Sequence, residues 1–195
     1  MKKMIGTGPV LSPLPLLVIG SYDHEERADA MTAAWGGVCC SAPPCVAFSV
    51  RESRYTYENL LEREEFTINI PSASFVAEVD YFGIVSGRNI DKPTICGLTM
   101  TPAPDVHAPM VEEFPLALEC RMVKTVSLGS HLQVIGEIVG ILADEEILDE
   151  DGNPVPGLMD PILYDPRGKK YYRIGEEIGQ AFISGKKFQT TVYQI

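Results

Sequence analysis

The chain has 195 residues, 45% hydrophobic and 22% charged, an ordinary globular composition that excludes a disordered or fibrous protein and leaves one domain able to fold without disulfides or a structural metal. A formal net charge of −11 repels a phosphate backbone at long range, so nucleic-acid binding is excluded and any anionic ligand must be held by a few local cations and backbone N–H groups. The 17 glycines and 15 prolines predict many turns and therefore many strands.

In chain order, residues 14–21 read as a strand with Pro13 and Pro15 at its entry, and the charged run 23–27 as an exposed hairpin tip. Residues 28–38 return as a second strand that becomes a loop at Gly36-Gly37. After the turn Ala42-Pro43-Pro44, residues 45–50 are apolar throughout, which predicts a buried third strand. Ser53 is placed to cap a helix over 54–63 whose Tyr57, Leu60 and Leu61 face inward. Residues 65–70 alternate polar and apolar, as a half-exposed strand does, up to Pro71. Ser74 is placed to cap a second helix carrying Val76, Val79, Phe82 and Ile84, with Gly87 as its left-handed C-cap.

Residues 98–114 are Pro-rich and read as loop. Two long strands, 116–128 and 131–142, flank a tight Gly129-Ser130 hairpin. An acidic stretch over 144–150 and a turn at 151–154 follow, then short strands at 162–164 and 171–175. The last twenty residues read as an arm with a short helix at 176–183. Antiparallel hairpins with two short helices, and no βαβ unit, argue for a mainly β barrel with helical caps.

The five cysteines are an odd count without zinc or disulfide spacing, and read as reduced, mostly buried thiols of a cytoplasmic protein. The N-terminus is basic, but prolines interrupt its apolar stretch and a charged run follows, unlike a secretory leader. No apolar run is long enough to span a membrane. There is no G-x-S-x-G, P-loop, H-x-x-x-H, C-x-x-C or dinucleotide-binding G-x-G-x-x-G, so neither a hydrolase triad nor a metal site announces itself. The conspicuous polar residues sit in loops: Thr32 and Trp35, residues 51–56, Ser86-Gly87-Arg88, Lys92 and His131. Hydroxyls, cations and a helix start of this kind suit a phosphate.

At these same positions the chain resembles the flavin-reductase-like, FMN-binding split-barrel proteins, and among them the flavoredoxin type. The matching stretches include Ala30-Met31-Thr32-Ala33-Ala34-Trp35, Ser41-Ala42-Pro43-Pro44, Arg54-Tyr55-Thr56, Ser86-Gly87-Arg88 with Asp91-Lys92, Leu128-Gly129-Ser130-His131 and Asp160-Pro161-Ile162-Leu163-Tyr164. They stand in the family's order over residues 10–175. The resemblance implies a six-stranded antiparallel split β-barrel with short capping helices and a C-terminal arm (176–195). It also implies a homodimer with FMN at the subunit boundary.

On this basis Met31, Thr32, Ala33, Ala34 and Trp35 lie along the isoalloxazine. Ser41, Arg51, Tyr55, Thr56, Ser86, Gly87, Arg88 and Lys92 surround its polar and phosphate parts, and His131 and Tyr164 approach it. No protein nucleophile is implied, because the flavin carries the hydride or electrons. NAD(P)H or a redox protein is the implied donor. An FMN carrier without turnover and a cofactor-free oligomeric binding module are the alternatives.

Two departures stand out. Asp29 occupies a position where the family often has Asn; a carboxylate there either points away from the flavin or makes its reduction harder. Phe82 replaces a common Cys.

Overall fold

A computed structural model describes residues 1–188. Its elements are β1 (Leu14–Pro15), β2 (Leu17–Tyr22), β3 (Ala28–Ala33), β4 (Gly36–Ser41), β5 (Pro44–Val50), α1 (Tyr55–Arg63), β6 (Glu65–Ile70), a 3-10 turn (Ala73–Phe75) running into α2 (Val76–Ile84), and α3 (Lys92–Ile95). They continue with β7 (Met100–Pro102), β8 (Pro109–Val111), β9 (Leu116–Leu128), β10 (His131–Ala143), α4 (Pro156–Met159), β11 (Leu163–Asp165) and β12 (Lys170–Tyr172).

The main sheet has seven antiparallel strands in the order β3-β2-β6-β9-β10-β5-β4. Its two edge strands, β3 and β4, are consecutive in sequence and separated only by Ala34 and Trp35. Three Cα steps span at most about 11 Å, so the edges must meet and the sheet curls into a barrel. The β4–β5 pairing reaches back into the break, where the Ser49 N–H donates to the Trp35 carbonyl at 2.8 Å. Counted as one strand broken at Ala34-Trp35, β3 and β4 give the six-stranded barrel implied by the resemblance.

The barrel interior holds Leu17, Ile19, Met31, Phe48, Phe66, Ile68 and Val134. The opposite face of β2, with Val18 and the adjoining Leu16, packs with Val79, Phe82, Val111 and Phe114 in a second core beneath α2 and the 98–114 segment. Burial on both faces explains why β2 is apolar without alternation. Phe82, where a Cys is common, is fully buried in that second core.

Several sequence expectations are corrected. β6 is not half-exposed: Thr67 and Asn69 on its polar face are fully buried. The covering segment satisfies them, with Thr67 Oγ1 donating to the Pro109 carbonyl at 2.5 Å and Val111 N–H donating to Asn69 Oδ1 at 2.9 Å. That segment therefore carries β7 and β8 rather than being all loop. At the 23–27 tip, Asp23 is buried; its carboxylate accepts from the Glu25 and Arg27 N–H groups, from Arg27 Nε and from the Tyr55 hydroxyl.

Arg54, not Ser53, is the N-cap of α1, and no side chain caps the helix. Tyr55, Thr56, Asn59 and Leu60 of α1 are buried and Tyr57 packs half-buried against the barrel core, while Leu61 is exposed. On α2, Val76 and Ile84 are exposed and no Ser74 cap forms. Gly87 is no left-handed cap, since α2 ends at Val85 in extended backbone. Residues 176–183 form no helix; a 3-10 turn appears at Ser184–Phe188, as Gly175 and Gly179 disfavour helix before it. The rest of the expected arm, 189–195, lies outside the described residues.

Candidate functional site

Where β3 breaks off at Ala34-Trp35, the side chains and backbone of 31–35 wall a cavity of about 200 Å³. Ser49 and Val50 at the end of β5 form another wall, and His131 and Tyr164 close its rim. His131 reaches it from the first residue of β10, whose Leu132 pairs with Val50. Tyr164 reaches it because β11 pairs with β1, Leu14 opposite Tyr164. The cavity is built largely from small, aromatic and backbone surface. The Thr32 hydroxyl is already committed, donating to the Val79 carbonyl at 2.6 Å.

A larger cavity of about 800 Å³ adjoins it. Met31, Arg51 and Arg54 line both, so the two form one groove. This second end is polar. The start of α1 opens onto it with Ser53, Tyr55 and Thr56, and Ser86, Gly87 and Lys92 line the far side. A helix start without a capping side chain presents unpaired N–H groups and the positive end of the helix dipole, a setting for an anion. Arg51, Arg54 and Lys169 line the same space.

Within its wall lies a buried charged cluster. Lys92 Nζ donates to the Ala30 carbonyl at 2.5 Å and stands 3.0 Å from Asp29 Oδ1. Thr56 Oγ1 donates to Asp29 Oδ2 at 2.9 Å. Lys92, Asp29 and Thr56 are 2%, 3% and 1% exposed. Gly87 is required here by close approach: a Cβ on it would sit 2.0 Å from Asp29 Oδ1. Asp29 therefore neither points away to solvent nor stands alone beside the groove; it is paired with a lysine.

Thirteen residues expected at the site from the sequence, all but Ser41 and Arg88, line one or other end of this groove. Ser41 is exposed at the far end of β4 and lines neither cavity, because the strand carries it away from the seam. Arg88 lines instead a cavity of about 770 Å³ that shares Tyr55 and Gly87 with the polar end of the groove. There its Nη2 lies 2.6 Å from Glu58 Oε1 and its guanidinium 4.9 Å from the Tyr55 ring centre. The Tyr55 hydroxyl donates to Asp23 Oδ2 at 2.6 Å, so it is the ring of Tyr55 that borders the groove.

Arg54, one of the conspicuous loop residues 51–56 and part of a matching stretch, and Lys169 both line the polar end without being among the residues that the resemblance implies. Nothing in the sequence flags Lys169, which arrives on the β11–β12 turn. Of the five free thiols, Cys45 and Cys120 are buried, Cys96 is half-buried and Cys39 and Cys40 are exposed, so fewer are buried than expected. Burial pushes the Cys120 thiol up to about 12, which makes it inert. Among the described residues no cluster of His, Cys, Asp or Glu could hold a metal, and no helix is long and apolar enough to cross a membrane.

The chain is similar to solved structures along nearly its whole length. It is 43% identical to the flavoredoxin of Desulfovibrio vulgaris (Miyazaki F), covering 95% of this chain and 100% of that one with a TM-score of 0.92. It is 29% identical to the flavoredoxin of Methanosarcina acetivorans over 96% of this chain and 99% of that one, TM-score 0.89. It is 26% identical to an FMN-binding protein of Thermus thermophilus over 92% and 99%, TM-score 0.79. Residues 11–173 match the flavin reductase like domain. With the split barrel and the groove at its seam, this establishes that the chain belongs to the flavin reductase-like family.

Proposed function

We propose that the groove binds FMN and that the protein is a flavoprotein oxidoreductase or electron-transfer protein of the flavoredoxin or NAD(P)H:flavin reductase type. The observation that carries this is the groove's polarity. One end is flat, small-residue and aromatic; the other has an uncapped helix start with Arg51, Arg54 and Lys169. That donor set fits a ring joined by a polar chain to a dianionic phosphate. Ala33 and Ala34 allow the ring close approach to backbone, Trp35 and Tyr164 shield it from water, and Ser53, Ser86 and the α1 N–H groups face the ribityl and phosphate oxygens. When bound, the isoalloxazine supplies the chemistry by taking up and releasing a hydride or electrons. The chain's own residues bind and orient it.

The ring-end cavity, about 200 Å³, is below the usual size of an enclosing pocket. This supports a homodimer in which the partner covers the ring. Val38, Val123 and Ile141, respectively 76%, 60% and 62% exposed, supply apolar surface for it. Titrating apoprotein with FMN while following quenching of flavin fluorescence tests binding, and sedimentation tests the dimer. Anaerobic mixing of the loaded protein with NADH or NADPH tests the donor. A colourless protein that leaves free FMN fluorescence unchanged would refute the reading; bleaching of the bound flavin by either nucleotide supports the reductase form over a carrier.

A further inference from the structure

We propose that Cys40 and Cys45 form a reactive dithiol, a modification site outside the groove. Cys40 exchanges with low-molecular-weight disulfides, and Cys45 resolves the product into a reversible disulfide across the β4–β5 hairpin. Cys40 and Cys45 stand directly opposite each other in the antiparallel β4–β5 ladder, one step from the turn-closing pair Ser41 and Pro44. Opposed residues in such a ladder have Cα atoms about 4.5–5.5 Å apart. A disulfide needs about 4.4–6.8 Å, so the bond closes without moving the backbone.

The two thiols differ in access. Cys40 is exposed, whereas Cys45 is only 7% exposed. Burial first, and then the neighbouring Cys40 and Cys39 sulfurs, push the Cys45 thiol up. Exposure makes Cys40 the attacking group, while burial withholds Cys45 from external reagents until a disulfide forms beside it. Cys96, after α3, and Cys120, in the barrel core, belong to neither strand.

Cys39 is the remaining exposed thiol. It has no opposite residue, because the register slips between Val38 and Cys40. Its Cα lies about 3.8 Å from that of Cys40 across a trans peptide, closer than a disulfide requires. The slip also sets the face. Val38 opposes Val46, which belongs to the barrel core, and Cys40 opposes Cys45, one residue earlier on β5. Successive residues of a strand point to opposite faces. The dithiol therefore lies on the outer face of the hairpin, opposite in direction to Val38, the residue offered above to the dimer.

The exchange balances in two steps. The Cys40 thiolate attacks one sulfur of a disulfide RSSR, forming a Cys40–SR mixed disulfide and releasing one thiolate. Cys45, giving its proton to solvent, then attacks the Cys40 sulfur, forms the Cys40–Cys45 bond and releases the second thiolate. The two cysteines are oxidised by two electrons and RSSR is reduced to two thiols. The bond pins the outer end of β4, an edge strand of the main sheet, to β5.

The test is incubation of the folded, fully reduced protein with oxidised glutathione, followed by acid quenching. Thiols still free are alkylated with one reagent, and those released by later reduction with a second. Residues 28–51 form one tryptic peptide that carries Cys39, Cys40 and Cys45, so fragmentation of that peptide reports which two were joined. In the wild-type protein the second label is expected on Cys40 and Cys45 and the first on Cys39, with two hydrogens lost, no glutathione retained and both thiols restored by dithiothreitol. Cys45→Ser should stop at the first step, with glutathione held on Cys40. Cys39→Ser should close the link at the wild-type rate. Urea melts verify that both variants fold, and the wild-type labelling gives its answer without them. A link from Cys39 to Cys40 or Cys45, or a link between two chains, would overturn the proposal. So would glutathione that stays on Cys40 in the wild-type protein, its absence from Cys40 in folded Cys45→Ser, or thiols that react only once the chain is unfolded in urea. Flavin binding has no part in this readout, so the flavin reading stands or falls separately.

Discussion

The two ends of the groove are built on opposite plans. The ring end comes from a break in the barrel: Ala34 and Trp35 bridge β3 and β4, and the surface they offer is mostly backbone and apolar side chain. The polar end is set in the fold's own electrostatics, with Lys92, Asp29 and Thr56 buried and bonded to one another and to β3. A substitution at the ring end alters what touches the ligand. A substitution in the buried cluster alters the fold as well, because charges removed from water depend on their partners.

The largest effect that would break this contrast is predicted for Lys92→Met. It leaves the Asp29 carboxylate buried without its cation and the Ala30 carbonyl without its donor. A loss of about 3–5 kcal/mol is expected, the range for removing one partner of a buried pair, read by urea denaturation of the apoprotein. If stability is unchanged and only FMN binding falls, Lys92 belongs to the ligand rather than to the fold, and the polar end is no different in kind from the ring end.

Asp23 extends the same logic beyond the groove. Burial pushes its pKa up, but hydrogen bonds from Tyr55, Arg27 and Glu25 outweigh that, and the carboxyl is held well below the usual carboxylate range. A depressed pKa contributes stability that is fully present above the unfolded value near 4 and is lost as pH falls through the folded value. Asp23→Asn should cost about 1.5–3 kcal/mol at neutral pH, the scale of hydrogen bonds to a charged group. It should also flatten the decline of stability below about pH 4. An acid-unfolding curve with the wild-type slope would show that the tip is not anchored through this carboxylate.

Gly87→Ala is a finer probe of the buried cluster. Its Cβ would stand 2.0 Å from Asp29 Oδ1, so either the 86–88 segment or the Asp29–Lys92 pair must shift. Overpacking of this kind costs about 1–3 kcal/mol. A melt with no change in midpoint would mean that the pair can move aside, and with it the charge that faces the groove.

What the sequence reveals follows the reach of local signals. The strand runs 14–21, 45–50 and 116–142 declare themselves by apolar content, alternation and Gly129-Ser130, and the order of short stretches from Ala30 to Tyr164 locates most of the groove. Three features needed the fold. Thr67 and Asn69 read as solvent-facing because alternation cannot reveal a second layer; β7 and β8 cover them. The sequence puts Lys92 beside the ligand but does not show it buried against a carboxylate, because Asp29 lies 63 positions earlier, on β3. Lys169 carries no local signal, since its place depends on β11 pairing with β1 across most of the chain. Ser41 and Arg88 also belong to matching stretches, but Ser41 lies at the far end of β4 and Arg88 pairs with Glu58, so neither lines the groove.

The smallest effect, and the one that sharpens the ring end most, is expected from Trp35→Phe. Trp35 is the sole tryptophan. It is half-buried, and its carbonyl accepts from the Ser49 N–H of β5. Its backbone role survives substitution, so little stability should be lost. Its side chain lines the cavity, and against a flavin the swap should shift the visible bands and weaken binding by up to about 1 kcal/mol, the scale of an aromatic contact. Emission from Trp35 should also be quenched as FMN is added, because flavin absorbs where tryptophan emits. Quenching alone reaches too far to prove contact; the band shift and the affinity decide. Unmoved bands with a lowered melting temperature would make Trp35 a packing residue. The ring end would then hold its ligand through the backbone of 31–35 alone, widening the contrast with the polar end, where side-chain charge governs both fold and ligand.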